Sequence, residues 1–276
     1  MELGISNLAW DPKDRLEVYD YLNVIGIKKI EIVPGLFFFK SSDKYSPTQK
    51  ELFSAVSEIE RKDLSIFSMQ SLLYGKKNSL LFGDNKQRES FKYELLKCFD
   101  LAHKLKISSL VFGSPLNRVV PKDMSKKMSE EIALETFSYL GDQLKGSDSS
   151  LCIEFNPKIY GTNFITNQDE AYDFVKKLKN NHIKIVFDVG CSKVNQEFDD
   201  KASSWIKKAI NMIGHVHLSE PHLKPAPKTV KSCKYLIDLL SKNKYKGGVS
   251  LEMKSLSNKN FDNIKSSLSK ILKAIK

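Results

Sequence analysis

Four short apolar stretches each carry one side chain that can bind a metal near its C-terminal end. Such brief apolar runs are typical of buried strands. The four side chains are Glu154, Asp188, His217 and Glu252. They lie 34, 29 and 35 residues apart, about the length of one strand, one loop and one helix. Ligand-type residues therefore recur at the same place in four successive strand–helix units.

Strand-like segments and amphipathic helices alternate along the whole chain. Four strands are predicted near residues 3–7, 29–33, 65–70 and 109–112, and the four stretches above follow them. Alternating elements imply a parallel sheet with right-handed crossovers. Eight units in 276 residues predict one (β/α)₈ TIM barrel domain over residues 1–276. A doubly wound sheet is the alternative, but such a sheet gathers its ligands at one switch point.

Side-chain alternation predicts that the four candidates face the barrel interior together. Strand residues point alternately to opposite faces, and in each stretch large apolar residues occupy one face. The candidate shares the other face with the residue two positions earlier. Those lower residues are Cys152, Val186, His215 and Ser250. We interpret His215 as a hydrogen-bonded interior residue, and we expect the four candidates to converge at the C-terminal mouth of the barrel.

Three carboxylates in one barrel mouth would repel each other and would not all stay ionised. A divalent cation removes that conflict. Three oxygen ligands and one imidazole suit Mn²⁺, Co²⁺ or Mg²⁺, whereas Zn²⁺ is the less favoured alternative because it usually prefers more nitrogen or sulfur. The sequence therefore predicts one divalent ion held by Glu154, Asp188, His217 and Glu252. The alternative for any one of them is a helix cap or a loop anchor.

The composition bounds the other partners. The net charge is +11, but 40 of the 44 basic residues are lysine, and arginine is the usual residue for reading bases. We therefore predict solvated surface and no nucleic-acid partner. No apolar run is long enough for a membrane span, and the first residues show no signal-peptide pattern. Four scattered cysteines are expected to be reduced thiols, which favours a cytoplasmic protein.

Six segments of the sequence resemble a known superfamily. They are Ile30–Ile32, Val111–Arg118, Ile153–Glu154 with Asn156, Phe187–Asp188, His215–Glu220 and Leu251–Glu252. Together they resemble the sugar phosphate isomerase/epimerase superfamily, the xylose-isomerase-like barrels that include ketose 3-epimerases and inosose dehydratases. The resemblance covers essentially the whole chain.

The resemblance implies that the same four side chains are metal ligands and that Glu154 and Glu252 are catalytic. One glutamate would remove a proton next to the substrate carbonyl, giving an enediolate, and the other would return it on the opposite face. Return to the neighbouring carbon would give isomerisation instead. One position departs from the pattern, because many relatives have a histidine where this chain has Cys191.

Six residues are predicted to bind the substrate: Glu31, Gln70, Arg118, Asn156, His222 and Lys224. Glu31 and Gln70 are expected to reach the mouth from the second and third strands. Arg118 follows a strand end, where it would bind a phosphate or carboxylate or be a surface arginine. His222 and Lys224 lie in the loop after the seventh strand and are expected to close over an anionic or polyol substrate.

The resulting hypothesis is a metal-dependent isomerase or epimerase of a sugar or sugar phosphate. A dehydratase acting on an inosose-like substrate would use the same enediolate chemistry. An endonuclease IV-like phosphodiesterase is less favoured because it needs several more histidines than the five present. A non-catalytic barrel is disfavoured by the complete ligand set. A homo-oligomer is left open.

Overall fold

Eight parallel strands close into a barrel in the computed structural model of the chain, which describes residues 1–256 and 260–276. Each strand pairs with the next, and the eighth pairs with the first. The strands are β1 (Glu2–Ser6), β2 (Lys29–Ile32), β3 (Ser65–Met69), β4 (Ser109–Phe112), β5 (Ser150–Glu154), β6 (Ile183–Asp188), β7 (Ile213–Leu218) and β8 (Gly248–Leu251). The predicted TIM barrel is confirmed.

Helices surround the barrel and follow the strands in sequence. They are α1 (Arg15–Ile25), α2 (Pro34–Phe37), α3 (Gln49–Glu60), α4 (Asn85–Leu105), α5 (Lys126–Asp142), α6 (Gln168–Leu178), α7 (Val189–Val194), α8 (Phe198–Ala209), α9 (Val230–Lys242) and α10 (Asn260–Ile275). The short helices α2 and α7, which begin within two residues of a strand end, were not predicted. Within the described ranges, no helix has both the length and the apolar character that a membrane crossing requires.

Local side-chain hydrogen bonds start several of these helices. Thr48 and Glu51 form a capping box before α3, and Asp84 and Gln87 form another before α4. In each box the two side chains accept from the first backbone N–H groups, which have no partner within the helix. Short polar motifs therefore determine the residues at which α3 and α4 begin.

The barrel interior contains the lower layer that alternation predicts. Cys152 and Val186 form a small apolar cluster with Val111, separate from the main core between strands and helices. Nε2 of His215 lies 2.9 Å from Ser250 Oγ. His215 is thus a hydrogen-bonded interior residue, as predicted.

The register between neighbouring strands places the upper layer. Asp188 pairs with His217 across β6 and β7, and Glu154 pairs with Val186 across β5 and β6. The β6–β7 ladder contains a register shift between Ile185 and Val186. Because of that shift, the ends of β6 and β7 lie side by side at the mouth.

We predict that Phe137→Ala destabilises the chain by about 3–5 kcal/mol, the usual cost of emptying a buried phenylalanine site. Phe137 is fully buried on α5 and makes edge-to-face contacts with Phe91, Phe112 and Phe174. Urea unfolding would measure the loss. The matched control is Phe53→Ala, since Phe53 is 72% exposed and its removal should change stability by less than about 0.5 kcal/mol. Equal losses in both variants would contradict the assignment of the core.

Candidate metal centre and active site

The structure brings the four predicted ligand side chains together at the mouth. One ligand atom from each of Glu154, Asp188, His217 and Glu252 lies within 4.8 Å of the others. Nδ1 of His217 is 3.0 Å from Glu154 Oε1 and 3.2 Å from Glu252 Oε2. The same nitrogen is 3.6 Å from Asp188 Oδ2. One imidazole nitrogen therefore faces three carboxylates, and we call these four side chains the mouth cluster.

The strand ends explain this convergence. Glu154 and Asp188 are the last residues of β5 and β6, His217 is the penultimate residue of β7, and Glu252 directly follows β8. Parallel strands bring their carboxyl ends to the same rim of a barrel. Four adjacent strands thus deliver four ligand-type groups to one point.

Asp188 has two structural partners besides the cluster. It caps α7, accepting from the backbone N–H of Cys191 through Oδ1. Its Oδ2 accepts from Ser219 Oγ at 2.8 Å, and Ser219 Oγ in turn accepts from the backbone N–H of Gly190 at 2.8 Å. Asp188 therefore has two roles: it caps α7, which was the alternative for a single strand-end residue, and it belongs to the mouth cluster.

Glu154 is held on both sides of its carboxylate. Oε1 faces His217, and Oε2 accepts from Asn156 Nδ2 at 3.0 Å. Gly113 lies against the same oxygen, where a Cβ atom would be only 2.5 Å away. A glycine at this position gives the carboxylate the room that it occupies.

Burial and charge act in opposite directions on the protonation of the cluster. Burial alone would lower the pKa of His217, but the surrounding carboxylates raise that pKa well above its ordinary value. The hydrogen bond and charge of His217 outweigh burial at Asp188, whose pKa is lowered. Burial raises the pKa of Glu252 to about 7, against the attraction of His217. The imidazolium thus offsets part of the negative charge, and a divalent cation would offset more with the same donor atoms.

A further carboxylate, Glu31, lies one layer below the mouth cluster. Its Oε1 accepts from Gln70 Nε2 at 2.9 Å and its Oε2 from Ser68 Oγ at 2.5 Å. Nε2 of His217 is 3.1 Å from Oε1, and Nε2 of His215 is 3.1 Å from Oε2. Burial would raise the pKa of Glu31, but the two imidazoles lower it below the ordinary range.

The group formed by Glu31, His215 and His217 contains atoms that could bind a metal, but we interpret Glu31 as a hydrogen-bonding residue that orients His217. Glu31, His215 and His217 together have the composition of a second metal site. An ionised carboxylate has about four acceptor positions, and four donors already surround Glu31. A metal-binding histidine usually donates its second ring N–H to such a carboxylate, which fixes its tautomer. Glu31 is placed to do this for His217.

The family model of the xylose isomerase-like TIM barrel matches residues 20–274. The chain belongs to this family. No curated protein is significantly similar to it in sequence.

Solved structures of known proteins share the fold over almost their full length. The 3-keto-D-glucoside 4-epimerase of E. coli superposes with a TM-score of 0.78 at 14% identity, covering 99% of each chain. D-psicose 3-epimerase of Clostridium cellulolyticum H10, solved with D-tagatose, gives 0.72 at 16% identity, covering 100% of this chain and 97% of the other. A family 2 AP endonuclease of Brucella melitensis gives 0.72 at 17% identity, with coverages of 98% and 97%. These identities establish a shared barrel.

Three of the six predicted substrate-binding residues are buried and already bonded to protein groups, and their contact with a substrate stays a prediction. Glu31 and Gln70 do not reach the mouth but lie beneath the mouth cluster, with Gln70 bonded to Ser6 as well as to Glu31. Arg118 is 0% exposed and donates to the backbone oxygen of Glu154. Glu31 is the penultimate residue of β2 and lies beside a register shift in the β2–β3 ladder.

The other three predicted residues divide between the site and its rim. Asn156 is buried against Glu154. His222 and Lys224 are exposed in the loop after β7, and the backbone N–H of His222 donates to the hydroxyl of Tyr160 in the loop after β5. That bond joins two loops at the rim, and substrate contact by His222, Lys224 and Asn156 stays a prediction.

Cys191 borders the mouth cluster at the position where the resemblance implies a histidine. The residue lies in α7, almost fully buried, with its Sγ atom 3.9 Å from Asn156 Nδ2. Burial, with the nearby charge of Asp188, raises the pKa of the thiol well above its ordinary value. A neutral thiol therefore replaces a strong hydrogen-bonding ring beside the cluster.

Sequence reasoning missed the residues that orient the ligands. Ser219 and Gly113 belong to segments that carry the family resemblance, yet neither received a role. Ser219 lies two residues after His217, on the face of the chain that meets Asp188, and this spacing was a usable signal. Nothing in the sequence indicates that Ser68 bonds Glu31.

We predict that Mn²⁺ or Co²⁺ stabilises the chain and that Asp188→Asn removes the effect. At 100 times the dissociation constant, a ligand of the folded state adds about 2.7 kcal/mol, or roughly 5–10 °C in Tm for a chain of this size. The metal-free variant should be less stable than the wild type, because the lowered pKa of Asp188 means that its charge stabilises the fold, so each metal response is measured against the same protein without metal. Differential scanning fluorimetry with and without metal measures both. Asp238→Asn, an exposed site on α9, is the control and should keep the full response.

We also predict that Glu31→Gln weakens Mn²⁺ binding about 10- to 100-fold, the usual effect of losing an outer carboxylate behind a metal-binding histidine. The measurement is the dissociation constant by calorimetry. Glu58→Gln makes the same chemical change at a surface ion pair with Arg15 and should leave binding unchanged. If a folded Glu31→Gln variant binds Mn²⁺ as tightly as the wild type, Glu31 does not determine the tautomer of His217.

Proposed function

We propose that the chain is a divalent-metal-dependent isomerase or epimerase of a sugar or sugar phosphate. The observation that carries this proposal is the mouth cluster, in which three carboxylates and one imidazole offer donor atoms within 4.8 Å of one another. The set suits Mn²⁺, Co²⁺ or Mg²⁺. The epimerases among the solved structures share the barrel, which supports the same class of chemistry without identifying the substrate.

Glu154, Asp188, His217 and Glu252 would hold the cation. When bound, it would supply Lewis-acid polarisation of the substrate carbonyl and its neighbouring hydroxyl. The side chains beneath and beside these four orient them: Glu31 bonds His217, Ser219 bonds Asp188, and Asn156 bonds Glu154.

Glu154 and Glu252 are proposed to move the proton. They extend from β5 and from the end of β8, which are three strands apart in a closed ring of eight. The two carboxylates therefore reach the mouth from different walls, with Asp188 and His217 between them. One glutamate, ionised, would take the proton from one face of the substrate, and the other, protonated, would donate its own proton to the opposite face of the planar enediolate, which inverts the carbon. Positioned acid–base groups of this kind contribute about 10²–10⁴-fold to the rate.

The positions of the histidines favour this chemistry over phosphodiester hydrolysis. Only His215 and His217 lie at the centre of the barrel among the described residues. His103 is near the end of α4, and His182 precedes β6, bonding the backbone oxygen of Ser149 through Nδ1. Both lie at the rim opposite the mouth, and the fifth histidine, His222, is a single exposed imidazole in the loop after β7 whose ring contacts Tyr160. The additional imidazoles that a multi-metal endonuclease site requires are therefore not supplied.

We predict that Glu154→Gln and Glu252→Gln each lower turnover at least about 100-fold while keeping the fold, because each removes one acid–base group. The assay incubates Mn²⁺-loaded protein with ketoses, inososes and sugar phosphates in ²H₂O. NMR follows deuterium entry at the carbon next to the carbonyl and identifies the product as an epimer, an isomer or a dehydrated ketone. The control is Glu135→Gln, an exposed residue of α5.

Two outcomes would contradict the proposal in different ways. Near-normal turnover by a folded Glu154→Gln or Glu252→Gln variant would remove that residue from the reaction. Protein that binds no divalent ion and exchanges no deuterium with any of these substrates would instead favour the non-catalytic barrel.

A further inference from the structure

Arg118 is a fully buried cation beside the proposed catalytic carboxylate. It ends the 3₁₀ turn Pro115–Arg118 after β4 and is 0% exposed. Its Nη2 atom donates to the backbone oxygen of Glu154 at 2.6 Å and to Asn156 Oδ1 at 2.9 Å. The Phe112 ring lies 5.7 Å from the guanidinium carbon. Arg118 was predicted to face a ligand, but its guanidinium faces the backbone of Glu154 and the side chain of Asn156.

The guanidinium has no ion pair within the described ranges. No carboxylate oxygen there lies within 4 Å of it, and its Nε and Nη1 atoms are buried without a hydrogen-bond partner. A charge buried in this way is costly to the fold. Purely structural bonding of a loop would need only a neutral donor. The buried arginine therefore points to a role towards the groups that it bonds, the backbone of Glu154 and the Asn156 amide.

Arg118 also decides which way the Asn156 amide points. A guanidinium has only donors, so the amide oxygen of Asn156 must face Arg118. The amide nitrogen then faces the other way, and it donates to Glu154 Oε2 at 3.0 Å and to the backbone oxygen of Phe155 at 3.1 Å. Both amide hydrogens have partners in this orientation. A hydrogen bond to one oxygen of the Glu154 carboxylate is thus fixed from behind by Arg118.

The Glu154 carboxylate is consequently restrained at each oxygen. Oε1 lies 3.0 Å from His217 Nδ1, and Oε2 is enclosed by Asn156 and by Gly113. Rotation of the carboxylate would break the bond to Asn156. Acid–base catalysis requires such restraint because a small displacement of the group costs much of the rate.

We propose that Arg118 and Asn156 are positioning residues that hold the Glu154 carboxylate in its catalytic orientation, Asn156 by direct hydrogen bond and Arg118 by orienting the Asn156 amide. This proposal rests on the proposed role of Glu154 in proton transfer. It gives Arg118 a role inside the protein, whereas the sequence predicted contact with a substrate anion or a surface position.

Asn156→Asp is the sharpest test, because the positioning role and a structural role predict opposite results. The new carboxylate would keep an acceptor for Arg118 and add an ion pair, which offsets the repulsion that it adds next to Glu154, so the variant is expected to fold. It would also turn an oxygen towards Glu154 Oε2 in place of the amide donor. We expect kcat to fall about 10- to 100-fold, as for other outer residues that orient a site, with KM within about threefold of the wild type.

Two arginine variants complete the test. Arg118→Met should lower kcat by a similar factor, and Arg118→Lys should restore part of it because the positive charge returns. Arg15→Met, the same change at the surface pair with Glu58, should leave kcat unchanged. If Arg118→Met does not fold, Asn156→Asp still decides, because it leaves Arg118 in place.

Visible absorption of the Co²⁺-loaded protein provides a measurement that does not depend on turnover. Displacement of Glu154 should alter the d–d bands in Asn156→Asp and leave those of Arg15→Met as in the wild type. A folded Asn156→Asp variant with wild-type kcat and bands would overturn the positioning role while the proposed function stands. Wild-type protein that neither binds Co²⁺ nor turns over a substrate would overturn the proposed function and this inference with it.

Discussion

The imidazole of His217 joins the two polar layers of the barrel, and the rest of the site depends on that link. Nδ1 faces three carboxylates at the mouth, while Nε2 bonds Glu31 below. A planar ring with two nitrogens at fixed angles can satisfy both layers only if strands on opposite sides of the barrel hold their ends at matching heights. The closed ring from β1 to β8 supplies that geometry, since each strand is registered by both of its neighbours.

The fold and the mouth cluster were predictable because they follow from periodic features of the sequence. Apolar runs at intervals of one strand–loop–helix unit predict parallel strands, and alternation assigns each side chain to a face. The carboxyl ends of parallel strands then meet at one rim. Glu154, Asp188 and Glu252 each stand at or just after a strand end. Their convergence therefore required no knowledge of loop conformation.

Depth inside the barrel was not predictable in the same way. Alternation gives the face of a strand residue, but register and shear decide its height. Glu31 lies next to a register shift between β2 and β3, which places its carboxylate beneath His217 rather than in the mouth. The depth of Arg118 could not be predicted either, because it lies in a loop and is buried only by the packing of the turn after β4 against β5. The depth of such residues is set by long-range packing, which produces no periodic pattern in the sequence.

Charge balance connects these two unpredicted placements. Glu31 has four hydrogen-bond donors of its own, so its charge is compensated within the lower layer. Glu154, Asp188 and Glu252 would carry three negative charges, and one divalent cation would leave a single charge in excess. Arg118 is a buried cation without an ion pair in the described part of the chain, and it bonds the backbone of Glu154. The guanidinium therefore adds a positive charge close to the carboxylates of the mouth cluster, where it offsets part of their mutual repulsion.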